Sequence, residues 1–274
     1  MKLDLRGSVA VVTGAASGIG AGLAGVLAVR GCALALVDRN AEGLDAVASA
    51  ARAQGVAVSG HVLDVADADA VAALPAAVLA AHGRVNVLVN NAGVALAGRF
   101  EEVDLSDAEW LFGINFWGPV RACKAFLPAL RREPAAHIVN LSSLFGLIAP
   151  AGQVAYAAAK FALRGFSEAL RHELEGSPVT LSVVHPGGVR TGIAKAARVP
   201  DQVAATIDPA LRARFEQFLK MPPEEAAGVI LRGVERRAPR ILVGADAKRG
   251  DLIQRLFPGS YWRIIARNLQ QDAK

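Results

Sequence analysis

Only two cysteines, Cys32 and Cys123, occur in 274 residues, and neither stands at a metal-ligand spacing. A disulfide framework is excluded, and two thiols in apolar surroundings predict buried side chains in a reducing cytoplasm. No metal site is expected. Aromatic residues make up 5% of the chain, too few to interleave with its scattered arginines. The net charge of +5, felt most at Arg236-Arg237, Arg240, Lys248-Arg249, Arg255, Arg263 and Arg267, therefore carries no nucleic-acid signature. No apolar run reaches the roughly 18 residues that a membrane-spanning helix needs. The first residues, Met1-Lys2-Leu3-Asp4-Leu5-Arg6, lack a signal-peptide layout. Repeats, low-complexity tails and Gly/Ser linkers are missing too, so one domain is the simplest account.

What the chain does have is alternation. Ser8–Val12 and Ala33–Val37 are short continuous apolar runs, the mark of strands buried on both faces. Further strands are predicted near 56–62 and at Val85–Val89, Ala136–Leu141 and Thr180–Val184, with Arg240–Val243 as a candidate seventh. Helical patterns separate them, near 41–53, 67–82, 107–132 and 153–175. This order predicts an α/β fold: a Rossmann-type doubly wound parallel sheet with helices on both faces. The stretch 188–222 is too long for an ordinary connection and reads as a substrate lid. A C-terminal extension begins near 245.

Strand ends carry the chemistry. Thr13-Gly14-Ala15-Ala16-Ser17-Gly18-Ile19-Gly20 lies between a buried strand and a helix, the context in which backbone amides and a helix N-terminus hold a pyrophosphate. Asp38 ends the second strand, 18 positions after Gly20, where a carboxylate takes ribose hydroxyls and repels a 2′-phosphate. That favours NAD. Arg39, which also fits a solvated surface arginine, keeps NADP open. Asp64-Val65 suits an adenine contact or a turn cap. Asn90 and Asn91, turn formers by default, become cofactor-shell candidates in a nucleotide crevice.

Tyr156 and Lys160 stand four apart in a run of alanines, one helical turn from each other. Such a pair also fits a solvated helix face. Read as chemistry, the ammonium favours phenolate and should lower the phenol pKa from about 10 toward neutrality. Ser143, thirteen residues earlier, is a turn residue or a hydroxyl aimed at a substrate oxygen. His185 reads as a satisfied strand-end histidine.

Together these blocks resemble the classical branch of the short-chain dehydrogenase/reductase (SDR) family, closely to about residue 191. The match comprises the 13–20 turn, Asp64, Asn90-Asn91-Ala92-Gly93, Asn115, Ser143, Tyr156-xxx-Lys160 and Pro186-Gly187-Gly188-Val189-Arg190-Thr191. The resemblance implies a catalytic set of Asn115, Ser143, Tyr156 and Lys160. Tyr156 is then the general acid/base, and Lys160 tunes it and binds the nicotinamide ribose. Ser143 polarises the substrate oxygen, and Asn115 holds a water on a proton path. A helix carrying Asn115 must be interrupted for that role, and Gly113 and Gly118-Pro119 are the expected interrupters. The implied cofactor shell is Gly14, Ser17, Gly18, Ile19, Gly20, Asp38, Arg39, Asp64, Val65, Asn91, Ala92, Gly93, Tyr156, Lys160, Pro186, Gly187, Val189 and Thr191. A homodimer or homotetramer through the helices near 107–131 and 153–175 is also implied.

The expected reaction is alcohol–ketone interconversion on a small molecule, with NAD-linked oxidation of the alcohol favoured. The apolar segments 94–96 and 144–150 suggest an apolar or amphipathic substrate, unless they face the core. An NADPH-dependent ketone reductase is the alternative, and a redox-sensing dinucleotide binder without turnover is the alternative of another class. The aromatic and arginine-bearing 257–267 stretch reads as a packing helix, with a membrane-surface contact as the lesser reading.

Overall fold

A computed structural model of the chain describes residues 4–194, 196–200 and 218–271, with side chains as far as Arg267. Seven strands, β1 (Val9–Thr13), β2 (Ala33–Asp38), β3 (Val58–Val62), β4 (Val87–Asn90), β5 (Ala136–Leu141), β6 (Val179–Pro186) and β7 (Arg240–Val243), form one sheet. The spatial order is β3-β2-β1-β4-β5-β6-β7, and every pair is parallel. The predicted fold and the candidate seventh strand are both present.

Between the strands run α1 (Gly18–Val29), α2 (Ala41–Arg52), α3 (Ala68–His82), α4 (Leu105–Phe112), α5 (Gly118–Leu130) and α6 (Val154–Glu173). After residue 222 come α7 (Pro223–Glu235), α8 (Ala245–Leu256) and α9 (Tyr261–Gln271). Strand residues alternate between two cores. Ala10, Val12, Leu34 and Leu36 face a cluster that includes Leu23 and Leu27 of α1 and Ile230 of α7. Val11, Ala35 and Val37 face the cluster of Val78, Phe126 and Leu130 on the other side. Each fully buried leucine contributes about 1.5–3 kcal/mol. α7 approaches α1 closely because position 22 is glycine; a Cβ there would stand 2.8 Å from the Pro223 carbonyl oxygen.

The long helix expected over 107–132 is three pieces. α4 ends at Phe112, a π-helical turn covers Gly113–Trp117, and α5 starts at Gly118 with Pro119 in its first turn. Pro119 has no N–H to give to the preceding turn, so the ladder widens before it. The break falls between the two interrupters read from the sequence.

Strand order reverses between β1 and β4, each at the side of the other with its sequence neighbours beyond. In such sheets ligands bind in the crevice outside the carboxyl ends at that reversal. The lid expectation over 188–222 lies partly outside the described residues, at 195 and 201–217.

Candidate functional site

The glycine-rich turn sits at the crevice and is braced from β4. Asn91 donates from Nδ2 to the carbonyls of Thr13 (2.9 Å) and Gly14 (3.0 Å). The Thr13 hydroxyl accepts from the amides of Asn91 and Ala92. Gly14 has φ +64°, and a Cβ on it would lie 2.7 Å from the Ala92 Cα. A Cβ on Gly20 would lie 2.0 Å from the Gly14 oxygen, so neither position admits a side chain. Ser17 caps α1 without a side-chain bond, and the first turn of α1 carries no acid. Its amides remain free for an anion. Thr191 closes the opposite wall, with its Cγ2 packed over Gly18. These residues fit the pyrophosphate of a dinucleotide.

Asp38 ends β2, and Asp64 lies two residues beyond the end of β3. The Asp38 carboxylate accepts the amides of Ala16 and Asn40, each at 3.0 Å, so it fixes the turn as well as charging it. Arg39 beside it is exposed. Asp64 accepts the Ala66 amide at 2.9 Å. Val65 is buried against Gly118. Asn90 departs from the cofactor-shell expectation. It is buried and donates to Asn140 Oδ1 at 2.8 Å, because β4 is central and its last side chain points into the core.

At the end of β5 lies the second cluster. The Ser143 hydroxyl stands close enough to the Tyr156 phenol to favour its charged form, and it accepts the Phe145 amide at 3.1 Å. Phe145 sets its ring edge on Tyr156, centroids 6.2 Å apart. Lys160 is 4% exposed, places Nζ 5.8 Å from the Tyr156 ring centroid and donates to the Leu141 carbonyl at 2.9 Å. Ser142 Oγ donates to the Lys160 carbonyl at 2.9 Å, so the end of β5 grips Lys160 by side chain and backbone alike.

The phenol titration differs from the expectation. Burial raises the Tyr156 pKa, and the opposing pull comes from the Ser143 hydroxyl, not from Lys160. The physical reason is that Lys160 is buried as well. Lost hydration lowers its own pKa to about 8, and its ammonium is spent on a carbonyl.

Asn115, fully buried in the π turn, binds the Val94 backbone at both ends. Gly93 lies against this pair; a Cβ there would be 3.2 Å from Asn115 Oδ1 and 3.5 Å from Lys160 Nζ. The structure thus gathers Asn115, Ser143, Tyr156, Lys160 and Gly93 in one place. Pro186 ends β6, and Gly187 packs against the Asp246 carboxylate, which also accepts the Gly188 amide. Val189 pairs with Met221, which turns the chain toward Thr191.

The expected apolar substrate walls are largely core. Leu96, Leu147 and Ile148 are buried, and Leu144 and Ile148 pack over Gly250 of α8. Phe145 is the residue of that stretch that faces Tyr156. Sequence reading missed Asn140 and Ser167, which join β4, β5 and α6 through bonds of 2.8 Å and so set the helix that carries Tyr156. Their signal was an asparagine inside an apolar strand. Arg198 was also missed. Its backbone pairs with Ala95 and Ala97, its guanidinium stacks 3.6 Å over Trp110, and it meets Asp107 at 2.7 Å. Among the described residues no group of His, Cys, Asp and Glu could hold a metal ion.

Comparison with known proteins agrees with the fold. Residues 8–202 match the family model described as short chain dehydrogenase. A Mycobacterium tuberculosis protein assigned as the oxidoreductase SadH is 43% identical over 270 residues, 96% of this chain and 95% of that one. A short chain dehydrogenase/reductase from Burkholderia phymatum, solved in complex with NAD, superposes with a TM-score of 0.84 at 31% identity. It covers 92% of this chain and 94% of its own. A metagenomic short-chain oxidoreductase in complex with NADP gives 0.72 at 33%, over 88% and 98%. The chain is an oxidoreductase and belongs to the short chain dehydrogenase family.

Proposed function

We propose that this oxidoreductase interconverts a secondary alcohol and a ketone, with Tyr156 as general acid/base. The observation that carries the reading is the Ser143 hydroxyl, the Tyr156 phenol and a buried Lys160 gathered at the carboxyl end of the sheet. A nicotinamide dinucleotide, when bound, supplies the carbon that takes or gives the hydride. The protein's residues do the rest. Ser143 hands its hydrogen bond to the substrate oxygen, and the phenol moves the hydroxyl proton. Lys160 holds the charge beside it, and Asn115 keeps the 93–94 backbone against that pair. Excluding water and aligning these groups is the protein's share of the catalysis.

NAD is the preferred cofactor in this reading, because the Asp38 carboxylate stands at the turn where a 2′-phosphate would lie. The exposed Arg39 supports the alternative of an NADPH-dependent ketone reductase. Phe145 on the Tyr156 ring, with few fixed charges near the hydroxyls, favours an apolar or amphipathic substrate. No helix among the described residues is long and apolar enough to cross a membrane. A cytoplasmic homodimer or homotetramer completes the proposal, supported by exposed Trp117 and Phe161 on the long-helix face.

The test is turnover of a panel of secondary alcohols and ketones, followed by absorbance of the reduced cofactor, for wild type and Tyr156→Phe. The variant should lose at least about 100-fold in turnover while binding dinucleotide normally. Turnover retained by Tyr156→Phe would sink the assignment.

A further inference from the structure

His185 is the second-last residue of β6 and has no solvent exposure. Its ring reaches across to the end of β5, where Nδ1 lies 3.0 Å from the carbonyl oxygen of Ser143. A carbonyl only accepts, so Nδ1 carries the ring proton and Nε2 is the bare nitrogen. Nε2 is buried with no hydrogen-bond partner among the described residues. The side chain therefore makes one directional contact, and that contact is to the proposed catalytic serine.

Ser143 has extended backbone, φ −163° and ψ 167°, and begins the short 3-10 turn Leu144–Gly146. Its carbonyl also accepts the Gly146 amide at 2.9 Å, and its hydroxyl accepts the Phe145 amide. Both of those bonds move with the turn. Of the bonds that Ser143 accepts, the one from His185 comes from another element, so it fixes the turn to the sheet. The surroundings keep the ring neutral. Burial lowers the His185 pKa to about 4; the Ser143 carbonyl and Asp251 of α8 oppose this, while Arg240 of β7 and Arg164 of α6 add to it.

We propose that His185 is a positioning residue: its Nδ1–H holds the Ser143 peptide so that the Ser143 hydroxyl stays turned toward the Tyr156 phenol. The inference rests on the role proposed above for Ser143.

The chain has two tyrosines, Tyr156 and Tyr261, so ring-labelled carbon-13 tyrosine gives two resonances, and Tyr156→Phe identifies one. Its titration is then followed in wild type, Ser143→Ala, His185→Asn and His185→Gln. Asparagine places an amide nitrogen where Nδ1 stands; glutamine places it one bond further out. A hydrogen bond from Ser143 favours phenolate, so its loss raises the titration midpoint. Ser143→Ala and His185→Gln should both raise it, by about one pH unit. His185→Asn should keep the wild-type midpoint. Dinucleotide affinity should be unchanged in both His185 variants.

A wild-type midpoint in His185→Gln, with Ser143→Ala raised, overturns the positioning role and leaves the Ser143 reading intact. A wild-type midpoint in Ser143→Ala overturns that reading itself. Nitrogen-15 imidazole spectra of the unaltered protein give a check that needs no variant to fold. They should show His185 protonated at Nδ1, and an Nε2–H tautomer refutes the proposal.

Discussion

Asn115 holds Val94 by both of its backbone groups: Oδ1 accepts the Val94 amide at 2.8 Å, and Nδ2 donates to the Val94 carbonyl at 2.9 Å. One buried side chain thus mimics a strand neighbour for a loop that lies beside Tyr156 and Lys160. The π turn makes this reach available by turning position 115 inward from a helix that otherwise runs past.

Asn115→Ala should therefore destabilise the protein as well as slow it. Two part-buried backbone groups lose their partners, at about 1 kcal/mol each. Urea unfolding should show a loss of at least about 2 kcal/mol. A variant as stable as wild type would mean that another group satisfies Val94.

Asp38 makes a prediction about cofactor choice. A carboxylate about 4 Å from a 2′-phosphate costs about 4 kcal/mol per charge pair at an effective dielectric near 20. Asp38→Ser removes the charge and keeps a hydroxyl acceptor for the turn amides. The ratio of catalytic efficiencies with NAD and NADP should shift toward NADP by at least about 100-fold. An unchanged ratio would transfer the selection to Arg39 or to the backbone.

Lys160 predicts a pH-dependent stability. Its pKa falls from 10.5 to about 8 on burial, so between those values the unfolded chain binds more protons than the folded one. Stability linked to this group rises as pH climbs through that window and is fully penalised below about 8. The full depression corresponds to about 3 kcal/mol. Wild type should gain on Lys160→Met between pH 7 and pH 10.5 by an amount of that order, read by urea unfolding at each pH. A constant difference across the window would contradict the buried ammonium.

Arg198 ties the segment after β6 to the segment after β4 through Trp110 and Asp107. Its side chain is half exposed, so Arg198→Ala should cost no more than about 1 kcal/mol of stability. The Michaelis constant for the substrate should rise severalfold with that for the dinucleotide unchanged, because Leu96, between the two paired residues, packs in the cluster that takes in Tyr156. Equal changes in both constants would argue against a latch on the substrate side.

The order of elements needed no coordinates. Continuous apolar runs at Ser8–Val12 and Ala33–Val37 give buried parallel strands, and glycines 14, 18 and 20 give a turn that no other residue can make. These are local properties, fixed by side-chain period and backbone sterics. Even the break near Asn115 was legible, since Gly113 and Gly118-Pro119 cannot continue a regular helix between them. Placement decided what local pattern left open. Asn90 and Asn91 are neighbours with the same side chain, yet one is core and the other braces the cofactor turn, because a strand alternates its faces. Leu96, Leu147 and Ile148 looked like substrate walls and are packed against protein. The sign of the Tyr156 shift followed the same rule. Spacing puts a lysine beside a phenol, but only the tertiary structure buries both, and burial outweighs the charge when the ammonium has lost its water too.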